Sequence, residues 1–279
     1  MKGAMRMYRF ALLGGRLPHS LSPQIHRRLL GLSGQEGEYT LMETGDQPPD
    51  QWVPQLLKLD GFNVTIPHKE SVIPFLKGLD PTAEAIGAVN TVYQGIGYNT
   101  DLLGFTSALE TLGQPLAGQR VCILGAGGTA RMMAAAALSA GCSVRLGVRE
   151  SSKERAEALC SSLLHLALRG AEASVCPIGS LAGGYDLLCN ATPEGMFPHP
   201  EGCPVTPAAL AGVKGVFDAV YNPTPTRLAR LAEQNGIPAL CGMSMLVGQA
   251  AAAQTIWTGA CFDRKQLEQV AREMEGLLA

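Results

Sequence analysis

The sequence predicts an α/β protein of two domains, and three observations lead to that expectation. The chain has 279 residues, about twice the length of a typical single domain. Strand-like and helix-like segments alternate along most of it, which is typical of βαβ units and mainly parallel sheets. These segments fall into two series, one before residue 70 and one after residue 120. We therefore expect two α/β domains, each built on its own sheet.

The first series alternates apolar runs with helical patterns. In order, its predicted elements are strand 9–13, helix 22–32, strand 38–42, helix 49–59 and strand 62–66. Ser22 followed by Pro23 favours a helix start, because a serine hydroxyl can cap free amides and proline suits the first turn. We interpret this series as the core of an N-terminal α/β domain.

The second series begins near residue 120. In order, its predicted elements are strand 120–124, helix 129–140, strand 143–148, helix 151–168, strands 185–189 and 215–220, and helix 225–235. Gly141 and Gly236 follow predicted helices, where glycine commonly ends a helix. Two final helices, 243–258 and 264–278, have no strand after them, so we expect them to return to the first domain. The predicted domains are therefore 1–103 plus 243–279, and 104–242.

Composition excludes several classes of protein. The chain has 22 Lys and Arg against 24 Asp and Glu, so it lacks the basic excess of a nucleic-acid or membrane-surface protein. No apolar run reaches the ~18 residues that a membrane helix needs. None of the eight cysteines lie two or three residues apart, which indicates reduced thiols in a cytoplasmic protein. His19, His26 and His68 lack partners at ligand spacing, so we expect no metal site.

A glycine-rich turn joins the first strand and helix of the second series. It has the pattern G-x-G-x-x-A and consists of Gly125, Ala126, Gly127, Gly128, Thr129 and Ala130. A tight glycine turn lets backbone amides approach a pyrophosphate, and the helix start attracts the anion. Because the pattern follows a strand and opens a helix, it predicts a dinucleotide-binding domain of the Rossmann type.

The end of the next strand indicates which dinucleotide is bound. An acidic residue there would bind the ribose 2′-hydroxyl of NAD. Val148 stands at that position, followed by Arg149, with Lys153 nearby. The guanidinium of Arg149, with no carboxylate at the strand end, suits the 2′-phosphate of NADP, so the sequence predicts NADP as the cofactor. Glu150 leaves three options open: it could pair with Arg149, repel the phosphate or accept a ribose hydroxyl.

Three polar clusters lie at predicted strand-to-loop junctions of the first domain. Ser20 and Ser22, at a helix start, can share one carboxylate. Asn63 and Thr65 alternate along a strand and so share a face, with Lys69 in the loop beyond.

The third cluster combines Asn90 with Asn99, Thr100 and Asp101, groups that suit a polyhydroxylated ligand. A cation and a carboxylate from separate loops make an acid–base pair, since reduction of a ketone needs a proton at the developing alkoxide. Lys69 and Asp101 are the predicted pair.

Five motifs appear in an order that resembles the shikimate dehydrogenase family, and the resemblance runs from about residue 10 to 271. They are His-Ser-Leu-Ser-Pro (19–23), Asn-Val-Thr-Ile-Pro-His-Lys (63–69), Gly-Ala-Val-Asn-Thr (87–91), Asn-Thr-Asp (99–101) and Gly-Met-Ser-Met-Leu-Val-Gly-Gln-Ala (242–250). The glycine-rich turn lies between the fourth and the fifth.

The resemblance implies reversible NADP-linked reduction of 3-dehydroshikimate to shikimate, in the biosynthesis of chorismate and aromatic amino acids. It implies that Lys69 and Asp101 are the catalytic pair and that Ser20 and Ser22 bind the substrate carboxylate. Further implied substrate residues are Asn63, Thr65, Asn90, Gln249 and Tyr221. Implied cofactor residues are those of the glycine-rich turn with Arg149, Lys153, Thr192 and Gly242.

Other interpretations stay open at this point. The family often has Asn-Arg-Thr where this chain has Val148, Arg149 and Glu150, so the preference for NADP over NAD is undecided. A quinate/shikimate dehydrogenase shares the same fold and catalytic pair. A catalytically silent NADP-binding sensor would keep the glycine turn but lose Lys69 and Asp101, which are both present. We expect a monomer or homodimer whose partner is a small-molecule substrate.

Overall fold

The computed structural model describes residues 6–18, 20–45, 47–168 and 170–278. His19, from the first predicted polar cluster, lies outside the described residues. The chain divides into two compact units. The first unit comprises Met1–Gly104 and Leu246–Met274, and the second comprises Phe105–Met245 and Glu275–Ala279. Each contains a six-stranded sheet with helices, which confirms the predicted α/β class.

The first unit contains the motifs with Ser20, Lys69 and Asp101. Its elements before residue 100 are β1 (Met7–Gly14), α1 (Ser22–Leu32), β2 (Glu36–Glu43), α2 (Pro49–Leu56), β3 (Gly61–Val64), β4 (Gly78–Leu79), α3 (Pro81–Ile86), β5 (Thr91–Tyr93) and β6 (Ile96–Tyr98). The strand order is β2-β1-β3-β5-β6-β4. Strands β1, β2 and β3 are parallel, whereas β5 is antiparallel to both β3 and β6. Helix α4 (Asp101–Leu112) begins in the first unit and has most of its residues in the second, whereas α8 (Met243–Thr258) and α9 (Arg264–Glu275) belong almost entirely to the first.

Strands β5 and β6 form a hairpin that the sequence did not predict. Its turn is the two residues Gln94 and Gly95, both with positive φ (51° and 86°). Such two-residue turns match the twist of antiparallel strands and favour glycine. The hairpin brings the chain back so that the amide of Asn90 donates to the carbonyl of Tyr98 at 3.0 Å. It therefore places the residue before β5 beside the residues that follow β6.

The start of α1 differs from the prediction. Ser22 is the first helical residue rather than the N-cap, and Leu21, at the cap position, makes no capping bond through its side chain. Leu21 already has helical backbone angles, so the helix begins one residue earlier than a serine cap requires. The prediction that Ser22 caps α1 is therefore wrong, whereas Pro23 does stand in the first turn.

Packing around Trp257 joins the C-terminal part of the first unit to its sheet. The indole nitrogen of Trp257 donates to the carbonyl of Val92 at 3.0 Å, and its ring stacks on Phe10. A Cβ at Gly61 would lie 2.3 Å from that nitrogen, so only glycine leaves room for the indole. The close fit fixes α8 against β1, β3 and β5.

The second unit has the strand order expected for dinucleotide binding. Its remaining elements are β7 (Arg120–Leu124), α5 (Gly128–Ser139), β8 (Ser143–Val148), α6 (Lys153–Leu163), β9 (Ala173–Pro177), β10 (Leu187–Asn190), β11 (Gly215–Asp218), α7 (Arg227–Gln234) and β12 (Ala239–Cys241). All strands are parallel, in the order β12-β11-β10-β7-β8-β9. The order reverses between β7 and β10, and ligands of open α/β sheets bind at the carboxyl ends of the strands at such a point.

Helix boundaries in the second unit are shorter than predicted. The stretch 151–168, expected as one helix, consists of α6 flanked by two 3₁₀ turns, Glu150–Ser152 and Leu164–Leu166. Within the ranges given above, no helix combines the length and the hydropathy needed to cross a membrane.

Candidate active site

Lys69 and Asp101 form an ion pair in the first unit. The Nζ atom of Lys69 lies 2.5 Å from Oδ2 of Asp101, although the residues are 32 positions apart in the chain. Their side chains are 18% and 14% exposed, so the pair is reachable yet mostly shielded from water. Lys69 follows β3 in a turn closed by the bond from the His68 amide to the Thr65 carbonyl, and Asp101 is the first residue of α4.

Asn90 holds Asp101 in place. Its Nδ2 donates to Oδ1 of Asp101 at 2.9 Å and to Oγ1 of Thr100 at 3.0 Å, while its Oδ1 accepts the Thr100 amide at 2.7 Å. The same Nδ2 lies 3.4 Å from Oε1 of Gln249 on α8. Next to it, the amide of Val89 donates to the carbonyl of Lys69. Both members of the ion pair are therefore fixed to the segment that precedes β5.

Asn63 is buried on β3, and protein atoms bind its amide. Its Nδ2 donates to the carbonyl of Asn90 at 3.1 Å and to Oγ1 of Thr91 at 2.9 Å. Its Oδ1 accepts the hydroxyl of Tyr39 at 2.7 Å. Thr65, predicted to share its strand, lies just beyond the end of β3 and is partly buried. Sequence reasoning missed Tyr39, because it belongs to none of the motifs.

His68 fixes the turn that precedes Lys69. Its Nε2 lies 2.7 Å from the hydroxyl of Thr44, which follows β2, and its ring packs against Trp52. Burial lowers the pKa of His68, so the imidazole is neutral at neutral pH. This contact was also missed by sequence reasoning, since Thr44 is in no motif.

Ser20 and Ser22 lie where the loop after β1 enters α1. Ser22 is buried and Ser20 is partly buried. The Ser20 hydroxyl accepts the Ser22 amide at 3.3 Å, which places the two side chains on one short turn. Glu43 steadies this loop by accepting the amide of Leu17 at 2.5 Å.

The glycine-rich turn in the second unit fits a dinucleotide phosphate. Gly125 has a φ of +109°, and a Cβ there would lie 3.1 Å from Cγ2 of Thr192, in the loop after β10. Gly127 is the N-cap of α5 and provides no side-chain cap. A Cβ added at Gly127 or Gly128 would meet nothing within 4 Å. There is therefore open space beside the start of α5, at the point where the strand order reverses, and the free amides of a helix start attract an anion.

Buried polar groups fix the loops around this turn. Asn190, at the end of β10, accepts the amide and hydroxyl of Thr192 at 3.0 and 2.7 Å, and donates to Asp218 at 2.8 Å. The other oxygen of Asp218 accepts the hydroxyl of Thr226 at 2.7 Å. Burial raises the pKa of Asp218, and these donors oppose that shift. Thr192 is therefore held by a chain of hydrogen bonds, which its sequence position alone did not indicate.

Arg149, Glu150 and Lys153 are exposed at the end of β8, whereas Val148 is buried in that strand. Among the described residues, no ion pair within 4.0 Å joins Arg149 to Glu150. Glu150 therefore does not pair with Arg149 in this structure, which leaves two of its three expected roles: repelling the phosphate or accepting a ribose hydroxyl. The guanidinium of Arg149 is available to an anionic ligand.

Gly242 lies between β12 and α8, and its backbone packs against a neighbouring loop. A Cβ there would lie 2.2 Å from the carbonyl oxygen of Ala219, so no other residue fits without a backbone shift. Its amide donates to the carbonyl of Val220 at 3.0 Å. The adjacent Tyr221 is partly buried, and burial raises the pKa of its hydroxyl.

No group of three or more His, Cys, Asp or Glu side chains within the described part of the chain is arranged to hold a metal ion. His26 lies in the interior of the first unit, stacked on Tyr39 with 4.0 Å between ring centroids, and His68 contacts Thr44. Both histidines therefore pack against, or hydrogen-bond to, other side chains of the first unit.

Comparison with known proteins gives consistent matches. Residues 12–92 match the family described as the shikimate dehydrogenase substrate binding domain. The NADP(+) shikimate dehydrogenase of Moorella thermoacetica is 38% identical over 278 residues, covering 95% of this chain and 93% of that protein.

Solved structures agree. The shikimate 5-dehydrogenase of Thermus thermophilus, in complex with NADP(H) and shikimate, has a TM-score of 0.84 at 36% identity, with 96% of this chain and 99% of that chain covered. The enzyme of Listeria monocytogenes, in complex with shikimate and NAD, has a TM-score of 0.86 at 27% identity, with 98% and 99% covered. A relative this similar over nearly its full length leaves one assignment: the chain belongs to the shikimate dehydrogenase family.

Proposed function

We propose that this protein is an NADP-dependent shikimate dehydrogenase. It reduces 3-dehydroshikimate reversibly to shikimate, on the route to chorismate and the aromatic amino acids. The observation that carries the proposal is the 2.5 Å contact of Lys69 with Asp101, fixed by Asn90, in a chain whose relatives bear that enzyme's name. A sensor without catalysis would have no use for such a pair.

The substrate-binding groups have distinct parts in this proposal. Ser20 and Ser22 bind the carboxylate through hydroxyls on one turn. Thr65, Asn90 and Gln249 bind ring hydroxyls. Asn63 can join them, because a carbonyl oxygen accepts two hydrogen bonds and Tyr39 takes one of them. Tyr221 completes the substrate set.

The second unit supplies the residues for NADP. The turn Gly125–Ala130 holds the pyrophosphate through the amides at the start of α5, where a Cβ at Gly127 or Gly128 would meet no atom within 4 Å. Thr192 and Gly242 lie beside the nicotinamide. Arg149 and Lys153 meet the 2′-phosphate. When bound, NADPH supplies the hydride that reduces the ketone.

Proton transfer is the task of Lys69. As the carbonyl carbon gains the hydride, its oxygen takes the electron pair of the C=O bond and becomes an alkoxide. The ammonium of Lys69 donates one proton to that oxygen, which gives the hydroxyl of shikimate and leaves a neutral amine. Asp101 orients the ammonium through the 2.5 Å contact. In the oxidation of shikimate the Lys69–Asp101 pair accepts the hydroxyl proton.

Quinate and NAD are the competing ligands, and a specific observation supports testing them. Val148 and Glu150 stand beside Arg149, and a carboxylate so close weakens the attraction for a phosphate. The deciding experiment measures kcat/KM for shikimate and quinate, each with NADP⁺ and NAD⁺. We expect shikimate with NADP⁺ to give the highest value. A large preference for quinate would overturn the substrate assignment, and NADPH binding without any turnover would leave only the sensor.

We also propose a cytoplasmic enzyme that acts as a monomer or homodimer without nucleic acid. All eight cysteines are free thiols, which suits a reducing compartment, and the net charge of −2 gives no attraction for phosphate backbones. Light scattering coupled to gel filtration measures the oligomeric state. A mass above that of a dimer would contradict this proposal.

A further inference from the structure

Tyr39 connects the outer strand of the first sheet to the polar residues of the active site. It lies on β2, which is separated from β3 by β1. Its hydroxyl nevertheless reaches Oδ1 of Asn63 on β3, at 2.7 Å. Ser22, one of the proposed carboxylate ligands, opposes the rise that burial causes in the pKa of this hydroxyl. The phenol of Tyr39 is therefore coupled directly to the amide of Asn63 in the substrate site.

The ring of Tyr39 is held in one orientation. His26 of α1 stacks on it with 4.0 Å between the centroids and an interplanar angle of 8°. His26 is itself bound at Nδ1 by Nε2 of Gln254 at 3.0 Å. Burial lowers the pKa of His26 to about 3, so the imidazole that stacks on Tyr39 is neutral at neutral pH. Burial also raises the pKa of Tyr39, which keeps its hydroxyl protonated and able to donate.

Donation from Tyr39 decides how the amide of Asn63 is oriented. Because Oδ1 accepts from the phenol, Nδ2 must face the other side, where it donates to the carbonyl of Asn90 and to Oγ1 of Thr91. Oγ1 of Thr91 in turn donates to Oδ1 of Asn90 at 3.2 Å. Oδ1 of Asn90 is thereby fixed, and its Nδ2 is left to hold Asp101 at 2.9 Å. Each donor and acceptor in this series constrains the next.

We propose that Tyr39 is a positioning residue for the reaction: by orienting the amide of Asn63, it orients Asn90 and so the carboxylate that aligns Lys69. The proposal rests on the proposed function. Tyr39 acts only through its neighbours, so its loss affects the rate at saturating ligands more than it affects cofactor binding.

The test compares Tyr39→Phe with Tyr8→Phe. Tyr8 lies on the adjacent β1 in the same aromatic cluster, and its hydroxyl makes no hydrogen bond to any described residue. For shikimate oxidation, we expect Tyr39→Phe to lower kcat by about three- to tenfold, the effect of one lost neutral hydrogen bond. The KM for NADP⁺ should change less than about twofold, and Tyr8→Phe should match the wild type.

A double-mutant cycle separates positioning from a general loss of stability. If Tyr39 acts through Asn63, then Tyr39→Phe should have almost no further effect on kcat in an Asn63→Ala background. Equal reductions with and without Asn63, or a wild-type kcat for Tyr39→Phe, would overturn the proposal. An inactive wild-type enzyme would instead contradict the proposed function, so the two failures are distinguishable.

Discussion

Asn90 donates to the oxygen of Asp101 that Lys69 does not contact, at 2.9 Å. Protein donors therefore bind both oxygens of one carboxylate, which stops it from rotating. A rotating carboxylate would let the Lys69 ammonium follow it, and proton donors act only within hydrogen-bond reach of their acceptor. In the proposed mechanism, this arrangement fixes the direction in which Lys69 donates its proton.

Removing the ammonium should suppress turnover. Because proton transfer occurs in the transition state, we expect Lys69→Ala to lower kcat by about 10²–10⁴ with little change in the KM for shikimate. Steady-state rates at saturating NADP⁺ measure both parameters. Lys58→Ala, which removes an exposed lysine of the same unit, should keep the wild-type kcat. An unchanged kcat in Lys69→Ala would exclude Lys69 from the mechanism.

A methyl group at Gly127 should block the cofactor without harming the fold. A Cβ at this position meets no protein atom within 4 Å and the backbone is extended, so we expect the melting temperature to change little. The methyl would occupy the space of the pyrophosphate, and we expect the Kd for NADPH to rise by about tenfold or more. Fluorescence titration of NADPH and thermal unfolding are the two measurements. Tight NADPH binding by Gly127→Ala would place the phosphates elsewhere.

Glu150 and Arg149 should act on cofactor choice in opposite directions. Removing the Arg149 guanidinium deprives a 2′-phosphate of a charge-assisted hydrogen bond, so Arg149→Gln should lower kcat/KM for NADP⁺ by about tenfold and leave NAD⁺ nearly unaffected. Glu150→Gln removes a repulsive charge and should raise kcat/KM for NADP⁺. Parallel rate measurements with both cofactors test the pair. Equal effects on NADP⁺ and NAD⁺ would contradict a role at the 2′-phosphate.

Buried His26 should make the fold sensitive to acid. Its pKa is about 3 in the folded protein, against about 6.5 in an unfolded chain. Between these values the unfolded chain binds more protons, so the free energy of unfolding falls as the pH decreases below 6.5. The contribution of this group should fall by about 2 kcal/mol at pH 5, and remain complete above pH 7.

Urea unfolding at several pH values measures this dependence. His26→Phe keeps an aromatic ring on Tyr39 and removes the titrating group, so its stability should decrease less between pH 7 and pH 5. His199→Phe, at an exposed position, should retain the wild-type dependence. A steep acid dependence that persists in His26→Phe would assign the effect to other groups.

Periodicity and glycine signals predicted four of the six strands of the second unit, and they missed β9 and β12. The strands at β7 and β8 and the turn at Gly125 were predicted at the positions observed. Strand β7 is buried after its first residue and appears as a continuous apolar run, whereas β8 alternates exposed and buried residues before its buried end. The helix predicted at 151–168 is longer than α6. The apolar spacing continues into the flanking 3₁₀ turns, and this spacing alone does not distinguish a 3₁₀ turn from an α-helix.

The first unit shows where such reasoning ends. Strands β5 and β6 have three residues each, which is too short for an alternation to be recognised. Motif residues could be named, but Tyr39 and Thr44 could not, because each acts through a contact with a distant segment. Hydrogen bonds between side chains of different strands depend on the strand order, which a single sequence does not reveal.

The tight turn at Gln94 and Gly95 makes the position of Asp101 depend on the number of residues between β5 and β6. Between Asn90 and Asp101, two three-residue strands and a two-residue turn bring the chain back beside Asn90. One inserted residue at the bend would shift the return path and carry the carboxylate away from its amide partner. The length of this span is therefore as important to the proposed active site as the side chains at its two ends.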